Sequence, residues 1–130
     1  LSSALELRNV RAAASEFAAM HSLAKATAMQ NGRTAQLSID PYSRTMAVRI
    51  DTTTAGVPAP DTLRVKRLKD VAVQSDRLLL CFDARGLSTT SGACEPGNAV
   101  VAFQWSPEDC SGCVGVSDTL KTSVLGKILR

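Results

Sequence analysis

The N-terminal part of the chain carries apolar positions at helical spacing. No proline or glycine occurs between Ser3 and Asn31, and alanine, the strongest helix former, recurs throughout. The pattern therefore predicts one long helix within residues 1–31. At 100° per residue, one stripe of this helix collects apolar side chains and should pack on the rest of the protein. Its members are Leu7, Val10, Ala14, Phe17, His21, Ala24 and Ala28, with Ala13 and Met20 at its edge.

The opposite face of the helix is unusual, because it lacks the Lys and Glu that a solvated face normally carries. Ala12, Ala19 and Ala26 lie there beside Ser15 and Ser22. Small side chains allow a second helix to approach closely, so one interpretation is a helix–helix interface. The other is that alanine only supplies helix propensity on an exposed face.

After the helix, the spacing of apolar positions changes to the alternation of β-strands. Gly32 suits the left-handed position that ends a helix. Alternating residues 35–39 and 46–50 flank the turn residues 40–43 and predict a β-hairpin. The Thr-, Gly- and Pro-containing stretch 51–61 predicts a loop. Further short strands are expected at 63–68, 71–74, 78–82, 99–105, 114–117 and 123–129.

Together these elements predict one α+β domain over residues 1–130, with a helix at 1–31 and a β-rich head at 32–130. The length suits a single hydrophobic core. We expect the C-terminal half of the helix to pack on antiparallel sheets, and a β-sandwich is one arrangement of those sheets. The expected core consists of Phe17, Leu37, Ile39, Val48, Ile50, Val65, Val73, Leu79, Val101 and Phe103.

The composition is that of an ordinary globular domain, with 45% hydrophobic and 21% charged residues. The net charge of +3 is too small to indicate nucleic acid as a partner unless the cations cluster. Clusters do occur in the sequence. One strand carries Arg64, Lys66, Arg67 and Lys69, and the last ten residues contribute Lys121, Lys127 and Arg130. Such residues form either a phosphate-binding surface or a solvated charged surface.

Four cysteines, Cys81, Cys94, Cys110 and Cys113, are compatible with two disulfides in any of three connectivities. The simplest interpretation is two local bridges, 81 to 94 and 110 to 113. Disulfides favour a location outside the cytosol. A redox role for the C-x-x-C spacing is disfavoured because the preceding acidic residues would raise a thiol pKa. A zinc ribbon would need a second close cysteine pair, which this sequence lacks.

Catalytic chemistry finds no support in the sequence. His21 is the only histidine, and we expect it to be packed on the apolar stripe because no partner for acid–base or nucleophilic chemistry can be placed beside it. The acidic residues show no metal-ligand spacing, and no glycine-rich phosphate loop occurs. We therefore expect no enzymatic activity, no cofactor and no metal.

Three short motifs occur in a characteristic order. The helix runs into Asn31-Gly32-Arg33 and a first strand, a later strand ends in Phe82-Asp83-Ala84-Arg85-Gly86, and the chain closes with Val116-Ser117 and Gly126-Lys127. Combined with one long alanine-rich helix, this order resembles the GspH/FimT-type family of minor pilins and type II secretion pseudopilins. The resemblance covers nearly the whole chain.

The resemblance implies a structural protein. Members of this family assemble with other pilin or pseudopilin subunits through the N-terminal helix, so Ala12, Ala19 and Ala26 become candidates for the helix face in the filament core. It also implies an inner-membrane anchor in an apolar helix segment preceding Leu1, with a periplasmic head before assembly and a place in a pilus or pseudopilus afterwards. The expected function is a minor type IV pilin that presents a binding surface, with a type II secretion pseudopilin as the alternative.

Some members of the family bind DNA during natural transformation through a basic Gly-Arg-x-Arg pattern near the C-terminus. Here the corresponding stretch reads Gly126-Lys127-Ile128-Leu129-Arg130, with lysine in place of the first arginine and the second arginine displaced by one residue. A DNA-binding minor pilin is therefore a further alternative. Its candidate residues are Arg64, Lys66, Lys121, Lys127 and Arg130.

Overall fold

The computed structural model describes residues 2–51, 60–110 and 112–129. They form one helix and two antiparallel four-stranded sheets, so the predicted α+β class is confirmed. The elements are α1 (Ser2–Asn31), β1 (Ala35–Asp40), β2 (Thr45–Asp51), β3 (Pro60–Arg67), β4 (Val71–Ser75), β5 (Leu79–Phe82), β6 (Val100–Trp105), β7 (Ser117–Thr122) and β8 (Ile128–Leu129). The first sheet has the order β3-β2-β1-β5, and the second has the order β4-β6-β7-β8.

Helix α1 is continuous over 30 residues, as the sequence predicts. It ends at Asn31 and is followed by Gly32, whose φ of 62° is the left-handed conformation that glycine adopts without steric cost. The amide of Arg33 then reaches back to the carbonyl of Ala28 at 3.3 Å. Among the residues described, no helix combines the length and the apolarity that a membrane crossing requires.

The core lies where α1 meets both sheets. Phe17 contacts Phe103 of the second sheet, with ring centroids 6.0 Å apart, and His21 meets Phe82 of the first sheet edge-on at 4.9 Å. The predicted stripe is confirmed, since all its members except the half-buried Leu7 are buried. One helix stripe thus joins the two sheets through a common set of side chains.

The β1–β2 hairpin is also confirmed. Its turn is held by the carboxylate of Asp40, which accepts hydrogen bonds from the amides of Tyr42 and Ser43 at 3.1 and 3.4 Å. Arg44 follows in the left-handed region with a φ of 56°. Its guanidinium donates to the carbonyl of Ser106 at 2.7 Å, which ties this turn to the end of β6 in the other sheet.

The prediction that Val65 belongs to the core was wrong. In the β2–β3 register, Arg64 pairs with the buried Val48, whereas Val65 pairs with Ala47 on the other face and is 58% exposed. Arg64 therefore lies on the face that meets the helix, where its guanidinium binds the carboxylate of Glu16. Leu79 was also predicted in the core and is only half-buried. The other expected core residues are buried.

Two strand predictions in the C-terminal third were misplaced. Residues 114–116 are not a strand, although Gly115 and Val116 exchange backbone hydrogen bonds with Trp105, and the strand instead covers Ser117–Thr122. The expected strand at 123–129 shrinks to Ile128–Leu129, since a turn closes between Ser123 and Gly126. Of the loop predicted at 51–61, residues 52–59 lie outside the described residues, and its last two residues already belong to β3.

Candidate functional site

The helix face opposite the core stripe is exposed. Ala12, Ala19 and Ala26 are all exposed, as are Ser15 and Ser22 between them. These positions follow each other at alternating spacings of three and four residues, which lines them up along one side of the helix. From Ala12 to Ala26 this face consists of alanine and serine, and the exposed Arg8 and Arg11 lie at its N-terminal end. A second helix could pack there without burying an ion or ordering a long side chain.

His21 is a packing residue. It is 1% exposed between Phe17 and Phe82, and burial together with the nearby positive charge of Lys25 lowers its pKa to about 4. The imidazole is consequently neutral at physiological pH. Its place on the inner stripe agrees with the sequence-based expectation of a packed histidine.

The C-terminal end of α1 contacts two turns, one containing Gly86 and the other Gly126, the glycines of two motifs described in the sequence. Gly86 and Gly126 both have a φ of 78°. A Cβ on Gly86 would lie 2.6 Å from the sulfur of Met29, and one on Gly126 would lie 2.9 Å from the carbonyl oxygen of Gly86. The Nζ of Lys25 lies 3.4 Å from the carbonyl oxygens of Leu125 and Gly126. The glycines therefore allow helix and turns to meet at van der Waals distance.

Both disulfides are local. Cys81 bonds Cys94, with Cα atoms 5.7 Å apart, and Cys110 bonds Cys113. The first bridge anchors the segment after β5 back onto that strand, where the carboxylate of Glu95 accepts a hydrogen bond from the amide of Leu78 at 2.6 Å. Within the described part of the chain no cysteine is free and no cluster of His, Cys, Asp or Glu side chains is suited to a metal ion.

The candidate DNA-binding residues do not form one group. Arg64 and Lys66 lie on β3, at the edge of the first sheet, whereas Lys121 and Lys127 belong to the β7–β8 part of the second sheet. Arg130 lies outside the described residues. Arg64 is engaged by Glu16, with its Nε and Nη2 at 2.8 and 2.5 Å from one carboxylate oxygen.

A cleft that the sequence did not reveal lies between α1 and the β3–β4 turn. It has a volume of about 470 Å³. The helix contributes Asn9, Ala12, Ala13 and Glu16, and the other wall is formed by residues 66–71. The basic run around Lys66 and Lys69 was visible in the sequence. Its helix partner was not, because the pairing is set by long-range packing.

One long N-terminal helix whose inner stripe packs on two antiparallel four-stranded sheets also occurs in solved structures of other proteins. Two solved structures of the type IV minor pilin FimU from Pseudomonas aeruginosa PAO1 have this fold. One is 20% identical and aligns with a TM-score of 0.65 over 95% of this chain and 89% of that chain. The other is 19% identical, with a TM-score of 0.64 over 92% of this chain and 90% of that chain.

No protein-family model matches the chain, and no curated protein sequence does. The structural likeness therefore establishes the fold. The chain has the fold of a minor type IV pilin, in agreement with the fold that the sequence motifs imply.

Proposed function

We propose that this chain is a minor type IV pilin of the GspH/FimT type, a structural subunit that assembles with other pilin subunits through α1. The observation that carries the proposal is the two-faced helix. One side of a continuous 30-residue helix holds the head, and the other side is exposed and carries only small uncharged residues at Ala12, Ala19 and Ala26 and between them at Ser15 and Ser22. The fold shared with FimU supports the same function.

The chemistry of the exposed face suits helix bundling. Alanine and serine lose little side-chain entropy when they are covered, and their small size lets helix backbones approach closely. A helix that served only as a scaffold for the head would gain solubility from Lys and Glu at these positions. The proposed location is the inner membrane with a periplasmic head before assembly, and the pilus afterwards. Two disulfides fit such an oxidising compartment.

The test is a charge placed on the exposed helix face. We expect Ala19→Glu to reduce the amount of this subunit in sheared pili, because assembly would bury an unpaired carboxylate. The head should stay folded, since Ala19 is exposed. Thr119→Glu, at an exposed position of β7, is the matched control and should assemble normally.

The outcome distinguishes the related alternatives. Normal incorporation of the Ala19→Glu subunit would contradict assembly through this face. A gene deletion that blocks protein secretion and leaves pili intact would assign the chain to a type II secretion pseudopilus instead. Loss of DNA uptake with normal pili would favour the DNA-binding alternative.

A further inference from the structure

Strand β3 leaves one edge of the first sheet open. It pairs with β2, and no other strand in the described parts of the chain pairs with its second edge. Every residue from 61 to 67 is exposed. The backbone N–H and C=O groups along such an edge can hydrogen-bond an incoming extended chain, which would then become a fifth strand of the sheet.

This edge carries an excess of positive charge. Residues 61–70 carry four cations and two carboxylates, a net charge of +2, and the carboxylates Asp61 and Asp70 stand at the two ends of this stretch. Arg64 is paired with Glu16 and Arg67 with Glu108, each at 2.5 Å. Lys66 and Lys69 form no ion pair with any described residue and remain available. Charged edges prevent indiscriminate pairing. A second copy of the chain that paired β3 with β3 would bring cations close to cations, which disfavours it as the partner.

The open edge leads directly into the cleft beside α1. The wall formed by residues 66–71 continues from the end of β3, and the opposite wall presents Ala12 and Ala13 with the amide of Asn9 beside them. Both carboxylates that line the cleft are engaged, since Glu16 binds Arg64 and Asp70 accepts a hydrogen bond from the amide of Glu108 at 2.9 Å. An extended segment paired with β3 would therefore enter a space of about 470 Å³. There its carboxylates could reach Lys66 and Lys69, and its backbone could approach Ala13 closely.

We propose that the free edge of β3 and the adjoining cleft dock an extended, acidic segment of a neighbouring subunit, which adds a strand to the first sheet. Naming the partner as a neighbouring subunit rests on the proposed function. The binding chemistry does not, because it depends only on the exposed edge, the two unpaired lysines and the cleft. Strand addition supplies affinity through backbone hydrogen bonds, and the lysines supply selectivity for carboxylates.

The probe is a synthetic end-capped hexapeptide of alternating glutamate and valine, titrated to millimolar concentration into the ¹⁵N-labelled chain. We expect amide shifts concentrated in residues 60–71 and in the helix around Asn9 and Ala13. Slower hydrogen exchange of β3 amides would demonstrate strand addition directly. Methylating alternate backbone nitrogens of the peptide should abolish binding, because it removes the donors that pair with β3.

Two double variants distinguish the contribution of the two lysines at the site from the effect of the net charge of the protein. Lys66→Glu with Lys69→Glu should weaken peptide binding about tenfold, which corresponds to about 1.4 kcal/mol. Lys121→Glu with Lys127→Glu changes the net charge equally and should alter binding less than about twofold. The same spectra report whether each variant is folded.

Several outcomes would overturn the inference. They are the absence of shifts at millimolar peptide, shifts confined to the β7–β8 region, and equal binding of a lysine–valine peptide. Tighter binding of duplex DNA to the same β3 amides would also overturn it and identify a nucleic-acid surface. Pili that assemble without α1 contacts would contradict the proposed function but leave the peptide result standing.

Discussion

Gly86 and Gly126 show how single residues limit the packing of this head. Both sit in turns at a φ of 78°, and both face atoms that a Cβ would overlap. The conformation alone disfavours other residues. The contact adds a second constraint at Gly126, because the obstructing atom is the backbone oxygen of Gly86 and cannot rotate away.

We expect Gly126→Ala to lower the free energy of unfolding by about 3 kcal/mol, through left-handed strain and backbone overlap together. Gly92→Ala is the matched control, since its φ is 62° but no atom lies within 4 Å of the added methyl group. It should cost only about 1 kcal/mol. Urea unfolding of the three proteins measures the difference, and equal costs would show that the junction has room for a methyl group.

His21 makes stability depend on pH. Its pKa is near 6.5 in the unfolded chain and about 4 in the folded protein, because burial disfavours the charged imidazolium. Between these values the unfolded state binds the proton and the folded state does not. Stability is therefore complete above pH 6.5 and falls as the pH decreases towards 4.

We expect the free energy of unfolding to drop by about 2 kcal/mol between pH 7.5 and pH 5, as the linkage relation gives for these two pKa values. His21→Met should remove most of this drop. Asp40, with its pKa lowered by hydrogen bonds from Ser43, loses its contribution only below its ordinary pKa of 3.8, so it does not interfere in this window. An unchanged pH profile in the variant would contradict the assignment to His21.

Among the strands, the alternation of apolar and polar residues predicted the structure correctly where one face of a strand is buried and the other is exposed to solvent. The β1–β2 hairpin follows from alternation and turn chemistry. Strand β3 does not, because it is an edge strand whose inner face extends past the sheet core to α1 and carries Arg64. Alternation predicts which residues share a face, but it does not decide which face meets the helix.

The register of β3 leads to a paired prediction. Val65→Ala should change the free energy of unfolding by less than about 0.5 kcal/mol, because the side chain is 58% exposed. Val73→Ala removes the same two methyl groups from a position that is 1% exposed and should cost about 2 kcal/mol. Thermal or urea unfolding compares them. Equal costs would indicate that β3 turns Val65 inward.

At the scale of the whole molecule, the fold places the lysines and arginines that the sequence suggested as one DNA-binding set on two different sheets. Arg64 and Lys66 lie on the first sheet, Lys121 lies on β7 of the second sheet, and Lys127 directly precedes β8 of that sheet. A DNA phosphate backbone that contacts Arg64 and Lys66 does not thereby contact Lys121 and Lys127. Helix α1, by contrast, packs on both sheets, so its exposed face is held in a fixed orientation relative to the whole head.

We expect duplex DNA to bind this chain only at low ionic strength, because the basic side chains are divided between two sheets and few of them can contact phosphates at any one site. Fluorescence anisotropy across a salt series measures this. Micromolar or tighter binding at physiological salt that Lys127→Glu abolishes would instead establish the DNA-binding alternative.

The sequence by itself determined the long helix, its cap at Gly32, its buried stripe and the first hairpin. These features depend on periodicity and on conformational preferences within a few residues. Only the tertiary structure decided that Val65 faces outward, that the basic residues divide between two sheets and that Lys66 borders a cleft with Asn9. Each of these depends on strand register or on helix-to-sheet packing between distant segments, which local spacing does not encode.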